Sequence, residues 1–432
     1  MARTSTITGI DVGTSKITTL VSSIGEEGEA RVIGVSTAVS RGLRKGQVVN
    51  IEEATAAISS SLEGTERMAG SSIGRAYVCV GGAHIASINS HGVVAVAEPE
   101  REITEFDIKR VIDAAKAVSL PSSREILHVL PRGYVVDGQE GIVDPIGMTG
   151  IRLEVDTHIV TGGATAIRNL RKCVEELGVE VSGMVFSGLA SAAASLSDTE
   201  KELGVILIDI GGGTTDVAIF VEGALSYSSV IPIGAINITK DLAAGLRVSL
   251  ESAEKIKLAL GEAPKLPAIL EEESVKGGKS DKTDEIDLTK LGLPEELKTV
   301  SKKTLVEGII KPRLNEIFTM VGLEIKRSGF GGMTPSGIVL TGGGAQTVGA
   351  VEAARRNLAM PVHVGIPQHI TGLIDEIMNP AYTASVGLIL GSTKTGMGES
   401  SSGLSGFRKV GERIQIKGMA GKVIDFVKSF LP

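Results

Sequence analysis

Two stretches of the chain repeat one pattern of apolar and polar positions, about half a chain apart. The runs "ITGIDVGTSKITTLV" (7–21) and "GVILIDIGGGTTDVAIF" (204–220) each reach an aspartate, Asp11 or Asp209, and resume an apolar segment after a glycine turn. Short apolar runs bounded by glycine predict strands. Each stretch therefore predicts a hairpin with a wide, glycine-rich tip.

The rest of the chain alternates between helical and strand periods. Helical periodicity predicts helices over 51–68, 105–118, 164–177 and 381–391, and an Ala/Ser-rich helix at "SGLASAAASL". Thr104 is a candidate N-cap, and Gly178 is a candidate left-handed stop. Between about 84 and 160, short alternating strands surround a single helix, which predicts a small α+β insertion.

The composition of the chain adds no new element to this picture, but it excludes several classes of protein and site. The chain has 432 residues, 42% of them apolar and 22% charged, with a net charge of −7, which argues against a general nucleic-acid binder. Cys79 and Cys173 form neither a disulfide framework nor a zinc spacing, so we expect buried thiols. We expect no secretory signal and no membrane-spanning helix, since no stretch offers ~18 consecutive apolar residues.

The C-terminal segment is a candidate membrane anchor. A Gly/Ser-rich linker (394–407) precedes 408–432, which carries six basic and two acidic residues. On a helical wheel the apolar side includes Met419, Val423, Ile424, Phe426, Val427, Phe430 and Leu431, with Lys422 and Lys428 on the other side. A terminal helix docked on the core gives the same wheel. The linker and the positive charge favour an interfacial helix on anionic lipid.

The glycine turns have the chemistry of a phosphate site. Neither G-x-x-x-x-G-K-[ST] nor G-x-G-x-x-G occurs, so the two common phosphate motifs are excluded. Backbone N–H groups at a glycine tip converge on an anion. Thr14, Ser15, Thr214 and Thr215 add hydroxyl donors, and Lys16 adds a positive charge. Asp11 and Asp209 would repel phosphate unless Mg²⁺, held through waters, lay between them. A third turn, Gly342-Gly343-Gly344-Ala345, suits the close approach of a flat base.

Several segments resemble a known family. The turns, "SGLASAAASL", "IVLTGGGA" and "NPAYTASVGLILG" follow the order of the actin/Hsp70/sugar-kinase superfamily. "LHVLPRGYVVDGQEGIVDPIGMTGIRLEVDTHIVTG" and "VIPIGAINITKDLAAGLRVSLESAEKIKLALG" resemble the FtsA family of bacterial cell-division proteins. The resemblance implies an α/β, actin-like two-lobed ATPase fold with an inserted α+β subdomain and a C-terminal amphipathic helix. The implied domains are lobe I at 1–83, 162–202 and 384–393, the insert at 84–161, lobe II at 203–235 and 334–383 with an outer subdomain at 236–333, the linker at 394–407 and a membrane-targeting helix at 408–432.

The resemblance also implies roles for individual residues. Residues 11–16 match the first phosphate loop, and 342–345 match the adenosine turn. The second phosphate loop corresponds to Asp209, Gly211, Gly212, Gly213, Thr214, Thr215 and Asp216, and the first includes Gly13. Glu254 and Lys257 match a pair beside ribose and adenine, although an i,i+3 surface ion pair has the same spacing. Arg313 and Glu316 match positions that bind the tail of the tubulin-like FtsZ, although a solvated helix face is the rival interpretation.

The resemblance further implies ATP and Mg²⁺ as ligands, with self, FtsZ, other division proteins and the anionic membrane as partners. The family polymerises and tethers FtsZ to the inner face of the cytoplasmic membrane at the division site, as a peripheral protein. Ser187 replaces the acid or amide that orients water in the relatives, so Asp209 is the remaining weak candidate base and turnover is expected to be slow or negligible. The alternatives are a sugar or acetate kinase, or a pilus-assembly or plasmid-segregation relative.

Overall fold

The structure is a computed structural model that describes residues 5–25, 28–96, 102–262, 284–295, 299–373 and 375–394. The strands are β1 Ser5–Val12, β2 Lys16–Ile24, β3 Ala30–Val39, β4 Leu43–Arg44, β5 Gln47–Val48, β6 Arg75–Val80, β7 Ala86–Ala95, β8 Arg124–Val136, β9 Gln139–Ile142, β10 Arg152–Gly163, β11 Glu180–Phe186, β12 Val205–Ile210, β13 Thr215–Val221, β14 Ala224–Ile231, β15 Glu285–Asp287, β16 Thr299–Ser301, β17 Ile338–Thr341, β18 Val362–Val364 and β19 Ile370–Gly372. The α-helices are α1 Ile51–Ala69, α2 Glu105–Lys116, α3 Ala164–Glu175, α4 Ser187–Ser195, α5 Asp198–Leu203, α6 Ala235–Leu246, α7 Leu250–Glu262, α8 Lys302–Leu305, α9 Lys311–Ser328, α10 Ala350–Leu358 and α11 Thr383–Lys394. The predicted membrane helix at 408–432 lies outside the described residues.

Two sheets share one plan, which confirms the repeated hairpins. The lobe I sheet has the order β11-β6-β1-β2-β3-β19, and the lobe II sheet has the order β14-β13-β12-β17-β18. In both, a central strand pairs antiparallel with the strand that follows it and parallel with a later strand on its other side. Asp11 and Asp209 are each the last but one residue of their central strand. The duplicated fold therefore places both aspartates at equivalent strand ends.

One short strand departs from the expected division of the chain. Residues 334–383 were expected in lobe II, but β19 pairs parallel with β3 at the edge of the lobe I sheet. The connection between β18 and β19 thus joins the two lobes.

The insert is an antiparallel sheet, β7-β10-β8-β9, with α2 packed on one face. Thr104 precedes α2, and both its backbone N–H and its hydroxyl donate to Asp107 Oδ2, at 3.1 and 2.8 Å. Thr104 is therefore the N-cap residue, as predicted, and the Asp107 side chain folds back onto it, although the helix ends at Lys116, two residues before the predicted end. The α+β character expected for this segment is confirmed.

The insert also reaches lobe II through a polar network that the sequence did not predict. Ser87 and Asn89 donate side-chain hydrogen bonds to the carbonyl oxygens of Ser228 (2.6 Å) and Ser226 (3.2 Å) on the edge strand β14. His158 Nδ1 lies 2.7 Å from Asn89 Oδ1, and its Nε2 lies 2.9 Å from Ser228 Oγ. Because the amide oxygen only accepts, His158 carries its proton on Nδ1 and accepts at Nε2.

This network predicts acid sensitivity. Burial, with nearby Arg132 and His128, lowers the pKa of His158 to about 3, whereas an unfolded histidine titrates near ~6.5. The neutral ring therefore stabilises the fold fully above about pH 6.5, and this contribution is lost as pH falls toward the folded pKa. We expect the drop in unfolding free energy between about pH 7.5 and pH 5 to be about 2 kcal/mol smaller in His158→Gln, measured by urea unfolding.

A matched control lies on the exposed side of the same sheet. The pKa of His91 is raised, chiefly by its hydrogen bond to Asp156, so this group stabilises the fold at low pH and loses its effect as pH rises. His91→Gln is therefore expected to make the acid loss larger. An unchanged pH dependence in His158→Gln would contradict the assignment of the neutral ring.

Two helices of lobe I form the floor beneath the cleft between the lobes. A Cβ built on Gly387 of α11 would lie 1.7 Å from the carbonyl oxygen of Ala190 in α4, so these helices approach at backbone distance. The small Ala and Ser side chains of α4 allow this approach. Cys79 and Cys173 are buried free thiols, as expected.

Candidate functional site

The two aspartate–glycine turns, one from each lobe, line one cleft of about 510 Å³. Each turn is closed by one backbone bond, Gly13 N–H to Lys16 O at 3.1 Å and Gly211 N–H to Thr214 O at 2.9 Å. A Cβ on Gly213 would lie 2.7 Å from Thr14 Oγ1, and one on Gly212 would lie 2.6 Å from Ser15 Cβ. Glycine is therefore required there because the turns of the two lobes meet.

Most of the residues predicted from sequence line this cleft. They are Asp11, Gly13, Thr14, Ser15, Lys16, Ser187, Asp209, Gly211, Gly212, Gly213, Thr214, Asp216, Glu254, Lys257, Gly342, Gly343 and Gly344. Thr215 and Ala345 do not line it. The Thr215 hydroxyl is fully buried and donates to Ile233 O at 2.9 Å, and Ala345 packs into the lobe II core. Both are corrected from ligand contacts to structural residues.

Three carboxylates share the cleft. Burial raises the pKa of Asp11, Asp209 and Asp216, and mutual repulsion adds to this at Asp209 and Asp216. Lys16 lies among them, and burial lowers its pKa to about 8, against the opposing effect of Asp11 and Asp209. A bound cation would relieve this cost of ionising the three carboxylates.

The carboxylates fit a hydrated cation better than a closed protein cage. Within the described ranges, no group of three or more His, Cys, Asp or Glu side chains has the geometry to hold an ion directly. Asp216 Oδ1 is buried without a hydrogen-bond partner, which leaves an acceptor to be satisfied. Mg²⁺ keeps several waters and is bound by one or two carboxylates plus phosphate, and Asp11 and Asp209 could supply them.

Lys16 has an aromatic partner. Its Nζ lies 3.3 Å from the centroid of the Tyr382 ring, which precedes α11. A cation over an aromatic face is stabilised by the ring quadrupole. The ring holds the ammonium group at the cleft, where a phosphate could compete for it.

Glu254 and Lys257 form more than a surface pair. Lys257 is 7% exposed, and its Nζ donates to Glu254 Oε2 at 2.8 Å and to Thr239 Oγ1 at 3.0 Å. Thr239 in turn donates to Glu254 Oε2 at 2.5 Å. This closed triangle between α6 and α7 lines the cleft, so the solvated ion-pair alternative does not describe it.

The third glycine turn has two functions. A Cβ on Gly342 would lie 2.1 Å from Asp209 Oδ1, and one on Gly344 would lie 2.3 Å from Ile210 Cγ2. Gly343 is exposed, and the nearest atom to its Cβ is Ala381 Cβ at 3.7 Å. Gly342 and Gly344 thus make room for the end of strand β12. Of the three glycines in this turn, only Gly343 leaves space for a base.

Ser187, predicted to lie near the attacking water, donates its hydroxyl to Asp216 Oδ2. One helical turn later, Ser191 donates to Asp209 Oδ2, and Ser385 of α11 donates to Asp11 Oδ2. Sequence reasoning missed Ser191 and Ser385 because serines in small-residue helices match no motif. The i,i+4 spacing of Ser187 and Ser191 was the available signal.

Arg313 and Glu316 lie away from the cleft, on α9. Arg313 makes two hydrogen bonds with Asp241 of α6, Nε to Oδ2 at 2.6 Å and Nη2 to Oδ1 at 2.9 Å, and it also pairs with Glu316. The guanidinium therefore ties α6 to α9, while the Glu316 side chain is 50% exposed. Asp241 was missed because it is 72 residues away in sequence.

Among the helices that the structure describes, none meets the length and hydropathy needed to span a bilayer.

Comparisons with known proteins agree with this architecture. Residues 82–161 match the family model "SHS2 domain inserted in FTSA", and residues 206–387 match "Cell division protein FtsA". The chain is 42% identical over 409 residues to FtsA of Pseudomonas aeruginosa, which covers 92% of this chain and 91% of that protein. It is 41% identical over 386 residues to FtsA of Borreliella burgdorferi, covering 89% and 90%.

A solved structure shows the same fold at low identity. The PilM–PilN type IV pilus biogenesis complex matches with a TM-score of 0.61 and 12% identity, over 90% of this chain and 98% of that chain. The predicted actin-like fold with an inserted subdomain is confirmed. Identity across nine-tenths of the length decides the family, and the chain belongs to the FtsA family of actin-like cell-division proteins.

Proposed function

We propose that this protein binds ATP with Mg²⁺ in the cleft, polymerises, and tethers FtsZ filaments to the inner face of the cytoplasmic membrane at the division site. The meeting of two aspartate–glycine turns, one from each lobe, supports the nucleotide part. Family membership supports the division role. The division of the chain into domains given above remains a prediction.

Titration calorimetry with ATP, in excess Mg²⁺ and in EDTA, tests the nucleotide part. We expect Mg²⁺ to tighten binding by the parent, and Asp209→Ala to lose most of this gain because a carboxylate that holds the hydrated ion is removed. Asp198→Ala removes a carboxylate that is 96% exposed on α5 and is the control. Absence of ATP binding by the parent would overturn the proposal.

Co-sedimentation with a peptide of the FtsZ C-terminal tail tests the partner. Glu316→Gln keeps the shape of the side chain but removes a half-exposed charge that orients Arg313, so we expect binding to weaken by up to about fivefold. Glu307→Gln, which removes a similarly exposed charge paired with Lys311, is the control. Equal binding by both variants and the parent would exclude this face of α9.

Hydrolysis is proposed to be slow, well below the ~10 turnovers per second typical of enzymes. The Ser187 hydroxyl is already donated to Asp216, and serine is a poor base. Phosphate release at ordinary enzyme rates from a pure preparation would contradict this.

A further inference from the structure

Three serine hydroxyls, all from helices of lobe I, each hold one of the three cleft carboxylates. Ser385 of α11 donates to Asp11 Oδ2 at 3.1 Å, and Ser191 of α4 donates to Asp209 Oδ2 at 2.5 Å. Ser187, at the start of α4, donates to Asp216 Oδ2. The carboxylates come from both lobes, but their partners come from one pair of packed helices.

The helix pair is a rigid support. Ser191 and Ser385 are both 0% exposed, and the close approach of Gly387 to Ala190 fixes α11 against α4. A buried hydroxyl on such a support has few alternative partners. The packed helices α4 and α11 of lobe I therefore set the orientation of each carboxylate. This orientation is already present before a nucleotide binds.

Each bond also determines which carboxylate oxygen remains for a ligand. At Asp209 the serine bonds to Oδ2 and leaves Oδ1, on the side that faces Gly342, as the oxygen for a ligand. A carboxylate held at one oxygen cannot rotate freely about its last torsion, and hydrogen bonds of this kind orient metal-binding groups in proteins. Ser385 holds Asp11 in the same way, by a bond to its Oδ2.

We propose that Ser191 and Ser385 are positioning residues of the cleft, which hold Asp209 and Asp11 in the orientation that receives the water shell of Mg²⁺. This inference rests on the proposed binding of ATP with Mg²⁺. Neither serine touches nucleotide in the proposal, and each acts through its aspartate.

The test compares two buried serines of one helix. Ser195 lies one turn beyond Ser191 and is 2% exposed, but its hydroxyl donates to the carbonyl oxygen of Ser191 at 2.7 Å rather than to one of the three cleft carboxylates. ATP affinity is measured for the parent, Ser191→Ala and Ser195→Ala in excess Mg²⁺ and in EDTA. We expect Ser191→Ala to reduce the Mg²⁺-dependent gain about tenfold while leaving affinity in EDTA unchanged, and Ser195→Ala to change neither.

The outcomes separate this inference from the function on which it rests. A parent without any Mg²⁺-dependent gain overturns the proposed function and the inference with it. A parent with the gain, retained in Ser191→Ala and Ser385→Ala, overturns the inference alone, as does an equal loss with and without Mg²⁺. Ser385→Ala acts on the other aspartate through the other helix, so the test does not depend on the folding of one variant.

Discussion

Gly342→Ala is expected to reduce both the stability of the protein and its Mg²⁺-dependent affinity for ATP. Gly342 has φ 82° and ψ 167°, a region of backbone conformation that only glycine adopts readily. A Cβ would also lie 2.1 Å from Asp209 Oδ1 and 2.6 Å from the carbonyl oxygen of Ile210. We expect the unfolding free energy to fall by about 1–3 kcal/mol from backbone strain. The displaced carboxylate should reduce the gain from Mg²⁺ at least about tenfold.

The next residue of the same turn is the matched variant. Gly343→Ala places its methyl group 3.7 Å from Ala381 Cβ, an ordinary contact distance, and Gly343 does not have a positive φ, so stability should be unchanged. If a base lies against this turn, affinity should fall equally with and without Mg²⁺. Thermal unfolding and titration calorimetry on both variants separate the two effects. Gly342→Ala with parental stability and parental Mg²⁺ dependence would contradict the assigned contact with Asp209.

The predicted hairpins and the cleft depended on local pattern, and this is why they could be found from sequence. An apolar run, an aspartate and a glycine turn occupy consecutive positions, so the strand end and its chemistry are coded together. The duplication then placed Asp11 and Asp209 at equivalent positions of two sheets. Local sequence patterns of this kind can be recognised without any knowledge of how the chain packs.

The residues that the sequence did not reveal depend on contacts between distant segments. Ser385 meets Asp11 across 374 positions, and Asn89 meets the carbonyl oxygen of Ser226 across 137. Neither residue belongs to a pattern that distinguishes it from other small polar residues. Thr215 shows the converse case, since it follows Thr214 in a phosphate-like turn but is turned into the protein by the alternation of strand β13. The direction of the Thr215 side chain could therefore be determined only from the structure.

Val427→Glu is expected to abolish flotation of the protein with anionic liposomes. The tail lies outside the described residues, and its amphipathic pattern is a feature of its sequence. Its apolar positions fall within an arc of about 160° on a helical wheel, with Val423 and Val427 at the centre. A helix from Met419 to Leu431 rises only ~20 Å, too short for a ~30 Å hydrocarbon core, so it would lie in the interface. A carboxylate at the centre of the buried face would have to enter the acyl region unpaired.

The control places the same charge on the other face. Ser429→Glu also lowers the tail charge by one, so both variants lose the same attraction to anionic lipid, about 1 kcal/mol per charge near the surface. Only Val427→Glu removes the apolar contact, which stabilises binding by ~25 cal/mol per Å² buried. The Ser429→Glu variant should therefore still float with liposomes. Its binding should be stronger when polymerisation joins many tails. ATP binding by calorimetry should be unchanged in both. If Val427→Glu floats as the parent does, the tail is not the membrane anchor.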